Sequence, residues 1–371
     1  MEQRFLKKID ELTSILKESN VRSLMLVCTH SFLNLKEYVN LKKSVNRAGV
    51  EIVEFTDFEP NPKYDSAVNG LRIFEDRECT FIIAAGGGSA IDVAKFIKVY
   101  AGLDGDKIYL GQEIKHNGIE MLAVPTTAGT GSESTRFAVI YYEGEKKSVN
   151  HATVLPEYVW LESETIFSLP EYQKKCTMMD AFCHAVESMW SMRSTEESKE
   201  YSKKSISLIL SNKDAYLENN ASAVKNMMIA SNYAGRAINI ATTTAGHAMC
   251  YKITSLYNFP HGHAAVICLP KLWRYMLTHM GQCRDNRGEY YLNNTFLEIA
   301  NAMGKDSVSD AIEYIEKLIG DLGLKAPKLK SEEEIELLVK SVNVERLENN
   351  PVMLSGNDLR NIYEEIFRGS H

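Results

Sequence analysis

The chain has 371 residues, 44% of them hydrophobic and 25% charged, with a net charge of −7 at neutral pH. The composition is that of a globular protein, the length favours two domains, and the acidic balance argues against nucleic-acid binding as the main function. No run reaches the ~18–20 apolar residues of a membrane span, and the N-terminus lacks the apolar core of a signal peptide. Seven scattered cysteines without a CxxC pair favour a reducing, cytoplasmic compartment.

Strands and helices are predicted to alternate through the first half of the chain. Apolar, partly β-branched runs predict buried strands at 22–30, 50–58, 79–88 and 120–129. Amphipathic segments between the first three strands predict helices. This order is typical of an α/β domain with a mostly parallel sheet and helices on both faces.

The pattern changes after residue 170. Apolar residues there recur at spacings of three and four, which indicates helices, and strand candidates almost disappear. We therefore predict an α/β dinucleotide-binding domain over residues 1–170 and an all-helical domain over residues 171–371.

Two predicted strands end in loops that suit an anion. In GGGSAIDVAK, Gly86, Gly87 and Gly88 allow a sharp turn, and Ser89 is predicted to cap a helix whose N-terminus attracts a pyrophosphate. The second loop, PTTAGTGSE at 125–133, is rich in hydroxyl groups and glycine. Either loop alone fits a tight turn without a ligand. Together, at one edge of a parallel sheet, they favour a dinucleotide site.

A metal site is predicted in the second half. Asp180 and His184 are four residues apart in MMDAFCHAVES, so a helix would place them on one face. His247 and His261 follow in GHAM and FPHGHA. One carboxylate and three imidazoles suit Fe²⁺ or Zn²⁺ and leave a coordination position open for a substrate oxygen. For the Asp–His pair alone, an ordinary helical contact is the better interpretation.

These segments resemble the iron-containing (group III) metal-dependent alcohol dehydrogenases. GGGSAIDVAK, PTTAGTGSE, DAFCHAVES, GHAM and FPHGHA occur in the family's order, and the resemblance covers nearly the whole chain. It implies a cleft between an α/β and a helical domain, and a metal on Asp180, His184, His247 and His261. It also implies an NAD(P)-dependent homo-oligomer in which the metal polarises a substrate oxygen while hydride passes to or from the nicotinamide.

The resemblance further implies a cofactor site. By position its residues are Gly86, Gly87, Gly88, Ser89 and Asp92 from the first loop and helix, Thr126, Thr127 and Thr130 from the second loop, and Lys147 from EKKSVN. Lys147 could instead be a solvated loop lysine. The first strand ends in CTHSF, where many NAD-preferring relatives carry an Asp. Because His30 and Ser31 bring no negative charge, NADP(H) is favoured over NAD(H), unless His30 simply caps a turn.

The proton-handling residues depart from the family pattern. Many relatives carry a histidine at the position of Tyr251, and a phenol is a poor base at neutral pH. His263 lies two residues after His261, so on a helix it points away from that ligand. It can be structural, can support a ligand or can relay a proton.

Cationic groups near the motifs predict a small anionic substrate. They are Arg136 after GTGSEST, Arg236 in AGRAINI and Lys252 beside Tyr251. The chain resembles the subgroup that reduces phosphonoacetaldehyde to 2-hydroxyethylphosphonate in three segments, TRFAVI, AGHAM with YKIT, and PHGHA. An arginine side chain is well shaped to bind the oxygens of a phosphonate. Structural salt bridges are the alternative for both arginines. Alternative functions are a generic short-chain alcohol or diol dehydrogenase, a polyol-phosphate dehydrogenase, a dehydroquinate-synthase-like enzyme and a nucleotide-binding regulatory protein.

Overall fold

The structure is a computed structural model that describes residues 3–342 and 347–368. The described residues form two compact units. The first comprises the chain up to 127 together with 131–168, and the second comprises 128–130 and the chain from 169 onward. Among the helices of these residues, none combines the length and the apolar composition that crossing a membrane requires.

A parallel sheet of six strands forms the centre of the first unit. Its strands are β1 (Arg4–Phe5), β2 (Ser23–Cys28), β3 (Glu51–Phe55), β4 (Phe81–Gly86), β5 (Glu120–Pro125) and β8 (Tyr158–Val159), in the order β1-β8-β5-β4-β2-β3. An antiparallel hairpin of β6 (Phe137–Tyr142) and β7 (Glu145–Asn150) stands apart from this sheet. The predicted α/β class is confirmed, and the four predicted strands are β2 to β5. Strands β1 and β8 were not predicted, because a strand of two residues is too short to show an alternating pattern in the sequence.

Helices cover both faces of the sheet. They are α1 (Glu11–Glu18), α2 (Lys36–Ala48), α3 (Tyr64–Asp76) and α4 (Gly88–Tyr100). Every residue of β2 is buried, and its side chains alternate between two cores because successive strand residues point to opposite faces. Leu24 and Leu26 pack with residues of α1 and α2, whereas Met25 and Val27 pack with residues of α3 and α4.

The first glycine-rich loop differs from its prediction at the start of α4. Gly86 ends β4, Gly87 is the N-cap, and the helix begins at Gly88. Ser89 therefore lies inside the first turn and is not the cap, because the helix starts two residues earlier than predicted. A Cβ on Gly86 would come within 2.5 Å of the Ala90 Cβ, so this glycine is required by the close approach of strand and helix.

Lys95 of α4 fixes the segment that follows the second loop. Its side chain is fully buried. Its Nζ donates to three backbone carbonyl oxygens, those of Ser132 (2.7 Å), Thr135 (2.8 Å) and Phe137 (2.8 Å). One turn earlier, Asp92 accepts hydrogen bonds from Ser132 Oγ at 2.7 Å and from the backbone N–H of Val139 at 3.0 Å. The two charged side chains together anchor this segment to α4.

Replacing Lys95 with methionine is expected to lower the free energy of unfolding by about 3 kcal/mol or more. The side chain keeps its apolar volume, but three carbonyl groups lose the ammonium that donates to them, and the loss of a buried hydrogen bond to a charged group costs about 1.5–3 kcal/mol. Urea denaturation measures the difference. Lys43→Met, at an exposed position of α2, is the control and should change stability by no more than about 0.5 kcal/mol. Equal effects of the two substitutions would contradict this anchoring role.

The second unit is helical. Its helices are α5 (Glu171–Trp190), α6 (Glu196–Leu217), α7 (Ala221–Ala241), α8 (Ala245–Tyr257), α9 (His261–Thr278), α10 (Gly288–Ala302), α11 (Val308–Asp321), α12 (Glu333–Lys340) and α13 (Gly356–Arg368). Helix α5 contacts α6, α7, α9 and α10, and all its residues from 178 onward are buried. The described residues of this unit contain no strand, so the predicted helical half is confirmed.

Candidate metal centre and cofactor-binding edge

Helix α5 presents a stripe of ionisable side chains inside the second unit. Asp180, His184 and Glu187 follow one another at spacings of four and three residues, so they share one face of the helix. All three side chains are buried. Buried carboxylates need partners, and the neighbouring helices α8 and α9 supply imidazoles.

Three of the four predicted ligands converge. Ligand atoms of Asp180, His247 and His261 all lie within 4.8 Å of one another. His247 Nε2 and Asp180 Oδ1 are 3.6 Å apart, which is too long for an ordinary hydrogen bond. Two atoms that bind one tetrahedral metal at ~2.1 Å lie about 3.4 Å from each other. The spacing therefore fits two ligands of a shared cation.

Unpaired buried atoms support the same interpretation. Asp180 Oδ1, His184 Nδ1 and His247 Nε2 are buried and have no hydrogen-bond partner among the described residues. Such atoms are rare because an unsatisfied buried polar group is destabilising by about 1–3 kcal/mol. One oxygen and several imidazole nitrogens form a donor set that suits Fe²⁺ or Zn²⁺. The residues present therefore fit a divalent metal.

The electrostatic potential at this position favours a cation. Burial alone would lower the pKa of His247, but Glu187 and Asp180 outweigh burial and raise it to about 10. Burial raises the pKa of the Asp180 carboxyl, yet His184, His247 and His261 bring it below its usual range. Two buried carboxylates thus create a negative potential around His247, which a proton or a metal ion can neutralise.

His184 lies beside the three convergent residues. Its ring stacks on that of His247, with ring centroids 4.5 Å apart and an interplanar angle of 16°. Burial lowers its pKa to about 4, so the ring stays neutral, which is the form that binds metals. The convergent group found among the described residues consists of the other three ligands, so a fourth bond from His184 stays a prediction.

Glu187 is a residue of this site that the sequence analysis missed. Its Oε1 lies 2.5 Å from His247 Nδ1. Its Oε2 accepts from the backbone N–H and the hydroxyl of Thr244, each at 2.7 Å. The signal was present in DAFCHAVES, because Glu187 continues the spacing of Asp180 and His184 along one helix face.

Tyr251 packs on one of the candidate ligands. Its ring is nearly parallel to that of His261, with centroids 5.5 Å apart and an interplanar angle of 10°. Cys250 lies next to it in α8, and its Sγ is 3.6 Å from His261 Nδ1. These neighbours restrict the orientation of the His261 ring, so Tyr251 contributes packing at the site whatever its hydroxyl does.

His263 has both ring nitrogens occupied by other groups. The Tyr172 hydroxyl lies 2.8 Å from Nδ1, and the backbone carbonyl oxygen of Lys325 lies 2.9 Å from Nε2. Phe259 stacks on the ring at a centroid distance of 4.2 Å. Burial lowers the pKa of His263, so the imidazole is neutral at pH 7. Of the three roles left open for it, this environment favours the structural one.

In the first unit, the predicted cofactor loops meet at one edge of the sheet. Strands β4 and β5 are adjacent and parallel, with Gly86 in register with Pro125. The Thr126 N–H donates to the Gly86 carbonyl at 3.0 Å, and a Cβ on Gly87 would come within 3.3 Å of Thr127. His30 follows β2, the next strand in the sheet, and is exposed. The expectation that these loops share one edge is confirmed.

The other predicted site residues have varied surroundings. Both carboxylate oxygens of Asp92 accept protein hydrogen bonds. Lys147 lies in β7 and pairs with Glu145 at 2.5 Å.

Arg236 in α7 has its guanidinium 5.6 Å from the centre of the Tyr201 ring. Arg136 is exposed just before β6, Lys252 is half-buried in α8, and Thr130 belongs to the second unit, unlike Thr126 and Thr127. Their roles stay predictions.

Comparison with known proteins gives the family. Residues 5–163 match the sequence profile described as iron-containing alcohol dehydrogenase. Residues 175–367 match the profile of the C-terminal region of the Fe-containing alcohol dehydrogenase family. Together the two profiles cover most of the chain, including every candidate metal ligand and every loop of the candidate cofactor edge.

Individual relatives carry several activities. A 1,3-propanediol dehydrogenase of Citrobacter freundii is 33% identical over 288 residues, which are 76% of this chain and 73% of that protein. A phosphonoacetaldehyde reductase of Streptomyces viridochromogenes is 28% identical over 297 residues, 76% of this chain and 75% of that one. The solved structure of sulfoacetaldehyde reductase from Bifidobacterium kashiwanohense in complex with NAD⁺ matches with a TM-score of 0.86 at 25% identity, over 99% and 97% of the two chains. The chain therefore belongs to the iron-containing alcohol dehydrogenase family, whose members are oxidoreductases that use NAD(P) and a divalent metal.

Proposed function

We propose that this enzyme interconverts a small aldehyde and its primary alcohol with NAD(P)H and one divalent metal. The observation that carries the proposal is the convergence of Asp180, His247 and His261, whose ligand atoms lie within 4.8 Å of one another. Residues 1–170 would bind the dinucleotide and residues 171–371 the metal.

The metal ligands of this chain would be Asp180, His184, His247 and His261. When bound, the metal supplies Lewis-acid catalysis at the alcohol or aldehyde oxygen. His184 is neutral at pH 7 and buried beside the group, which supports its place as the fourth ligand. The donor set suits Fe²⁺ and Zn²⁺ alike, so we propose one divalent ion of either kind.

For the cofactor we propose NADP(H), with Gly86 to Ser89 at its pyrophosphate and with Thr126 and Thr127 approaching the cofactor from the second loop. His30 is exposed after β2, at the same sheet edge as Gly86, and brings no carboxylate that would repel a 2′-phosphate. The Bifidobacterium relative binds NAD⁺, which keeps NAD(H) as the alternative. Parallel kinetics with both reduced cofactors separate the two.

For the substrate we propose an anionic two-carbon aldehyde, with phosphonoacetaldehyde as the specific compound. Two of the relatives are named for aldehydes of this class, one a phosphonate and one a sulfonate. An uncharged diol or short-chain alcohol is the second candidate, because the 1,3-propanediol dehydrogenase is the more similar relative by sequence, at 33% identity. Arg136, Arg236 and Lys252 are the cations proposed to act on the anion.

The test is an aldehyde screen that follows the loss of NADH or NADPH absorbance on enzyme loaded with Fe²⁺ or Zn²⁺. Phosphonoacetaldehyde should exceed 3-hydroxypropanal and butanal in kcat/KM by at least about tenfold, which one charge-assisted hydrogen bond can supply. Equal values for charged and uncharged aldehydes would establish the diol or alcohol dehydrogenase instead. Absence of cofactor turnover with every aldehyde and alcohol would contradict the proposed function itself.

Two further properties belong to the same proposal. All seven cysteines are free thiols, and six of them are buried, which supports a reducing, cytoplasmic compartment. We also propose a homo-oligomer, as the family resemblance implies, which size-exclusion chromatography with light scattering would measure directly.

A further inference from the structure

The contacts of Glu187 connect two parts of the second unit. This carboxylate projects from α5, whereas the groups that it binds belong to the start of α8. Glu187 is 1% exposed and His247 2% exposed, so water does not compete for these contacts. A buried carboxylate with this set of partners is held in one orientation.

One carboxylate oxygen faces the imidazole. Glu187 Oε1 lies 2.5 Å from His247 Nδ1, and a carboxylate can only accept, so Nδ1 carries the proton. A ring that carries a single proton, held on Nδ1, has none on Nε2, the atom 3.6 Å from Asp180 Oδ1. The hydrogen bond on one side of the ring thus prepares a lone pair on the other side.

The other carboxylate oxygen faces the backbone of α8. Thr244 is the N-cap residue but makes no cap through its own side chain. Instead Glu187 Oε2 accepts from the Thr244 N–H at 2.7 Å and lies 3.4 Å from the His247 N–H. A negative charge at a helix N-terminus is favourable, and this one caps the turn that carries His247.

Glycine at position 246 makes this contact possible. A Cβ on Gly246 would lie 2.6 Å from Glu187 Oε1. Any larger residue would push the carboxylate away from the ring of His247. The glycine before His247 therefore leaves space for the Glu187 carboxylate, which projects from helix α5.

We propose that Glu187 is a positioning residue of the metal centre, which fixes the tautomer and orientation of His247 so that Nε2 faces the metal. The proposal rests on the proposed metal site but concerns metal binding alone. Glu187 lies outside the convergent group of candidate ligands, so we place it behind His247 and not among the groups that bind the metal.

The first test is the metal affinity of Glu187→Gln. A glutamine amide either turns its NH₂ group toward His247 Nδ1, which favours the tautomer with the proton on Nε2, or turns it toward the Thr244 N–H, where two donors oppose each other. In both orientations Zn²⁺ binding should weaken by about 10–100-fold, as for other carboxylates that support metal-bound histidines. Competition with a chromogenic chelator measures the dissociation constant.

The second test reads the tautomer directly by ¹⁵N NMR of histidine-labelled, Zn²⁺-loaded protein. In the wild type, His247 should show a proton on Nδ1, shifted downfield by the carboxylate. In Glu187→Gln this resonance should move upfield. A wild-type His247 that is protonated on Nε2 would overturn the proposal even if the variant fails to fold.

Two control variants separate positioning from general stability. Thr244→Val removes one hydrogen bond to Glu187 and one to Trp190 but keeps the bond to the imidazole, so its melting temperature should fall while its metal affinity stays within about threefold. Glu316→Gln removes a carboxylate that pairs with Lys271 and Arg274 and should bind metal like the wild type. Folded Glu187→Gln with unchanged affinity would overturn the proposal. Since no substrate or cofactor is present, this outcome is independent of the dehydrogenase activity.

Discussion

Replacing His261 with alanine is expected to abolish stable metal binding and to lower kcat/KM by about 10³-fold or more. The substitution removes one of the three convergent ligands, and loss of Lewis-acid catalysis removes several kcal/mol of transition-state stabilisation. Metal content after dialysis and the kinetics of NAD(P)H oxidation with an aldehyde measure the two effects. The side chain is half-buried at the start of α9, so the fold should survive its truncation.

His279→Ala is the matched control for this prediction. His279 follows the last residue of the same helix, α9, and stacks on Tyr275 with centroids 4.0 Å apart. It lies outside the convergent group, so its removal should leave metal content unchanged. Full activity in the His261 variant would refute the metal assignment, whereas equal losses in both variants would indicate a general effect on folding.

Gly262→Ala should also lower activity strongly, although glycine carries no functional group. An added Cβ would lie 2.0 Å from the Cys176 carbonyl oxygen and 2.7 Å from the Asp180 Cβ. These atoms belong to helix α5, so α5 and the first turn of α9 would have to separate. His261 is the neighbouring residue, and displacing it by ~1 Å from Asp180 can lower the rate by about 100-fold.

The prediction for Gly262→Ala is checked by metal affinity, kcat/KM and thermal unfolding together. Overpacking of this kind costs about 1–3 kcal/mol of stability, so the midpoint of unfolding should fall as well. Gly320→Ala is the control, because an added Cβ there meets nothing within 4 Å inside helix α11. That substitution should stabilise the protein by about 0.5–1 kcal/mol, since alanine is the better helix former. Normal metal binding by folded Gly262→Ala would show that the helix contact does not set the ligand spacing.

The loops after β4 and β5 show which structural features can be predicted from local sequence. Alternating strands and helices, with glycine-rich and hydroxyl-rich loops after β4 and β5, were enough to place both loops at one edge of a parallel sheet. Periodicity also distinguished the helical second unit. The cap of α4 was predicted at Ser89 but lies at Gly87. Sequence patterns locate a helix start only to within a residue or two, because serine and glycine can both end a strand and begin a helix.

Some features of the candidate metal site were also predictable from local sequence, whereas others depend on contacts between helices. The spacing of Asp180 and His184 is local, so a single helix period predicts that they share a face. The role of Glu187 is not local, because its partners are Thr244 and His247 on another helix. His263 is similar, since its two ring nitrogens face Tyr172 and a backbone carbonyl far away in the chain.

By itself, therefore, the sequence determined strands β2 to β5, the helical second half, the fold class, the family and the candidate ligands, because periodicity and motif spacing are properties of one segment at a time. Tertiary structure alone decided which atoms face each other. It brought Asp180, His247 and His261 together, set His184 beside them and engaged both nitrogens of His263. These distances depend on how helices α5, α8 and α9 pack, and close packing is set by side chains that are distant in sequence.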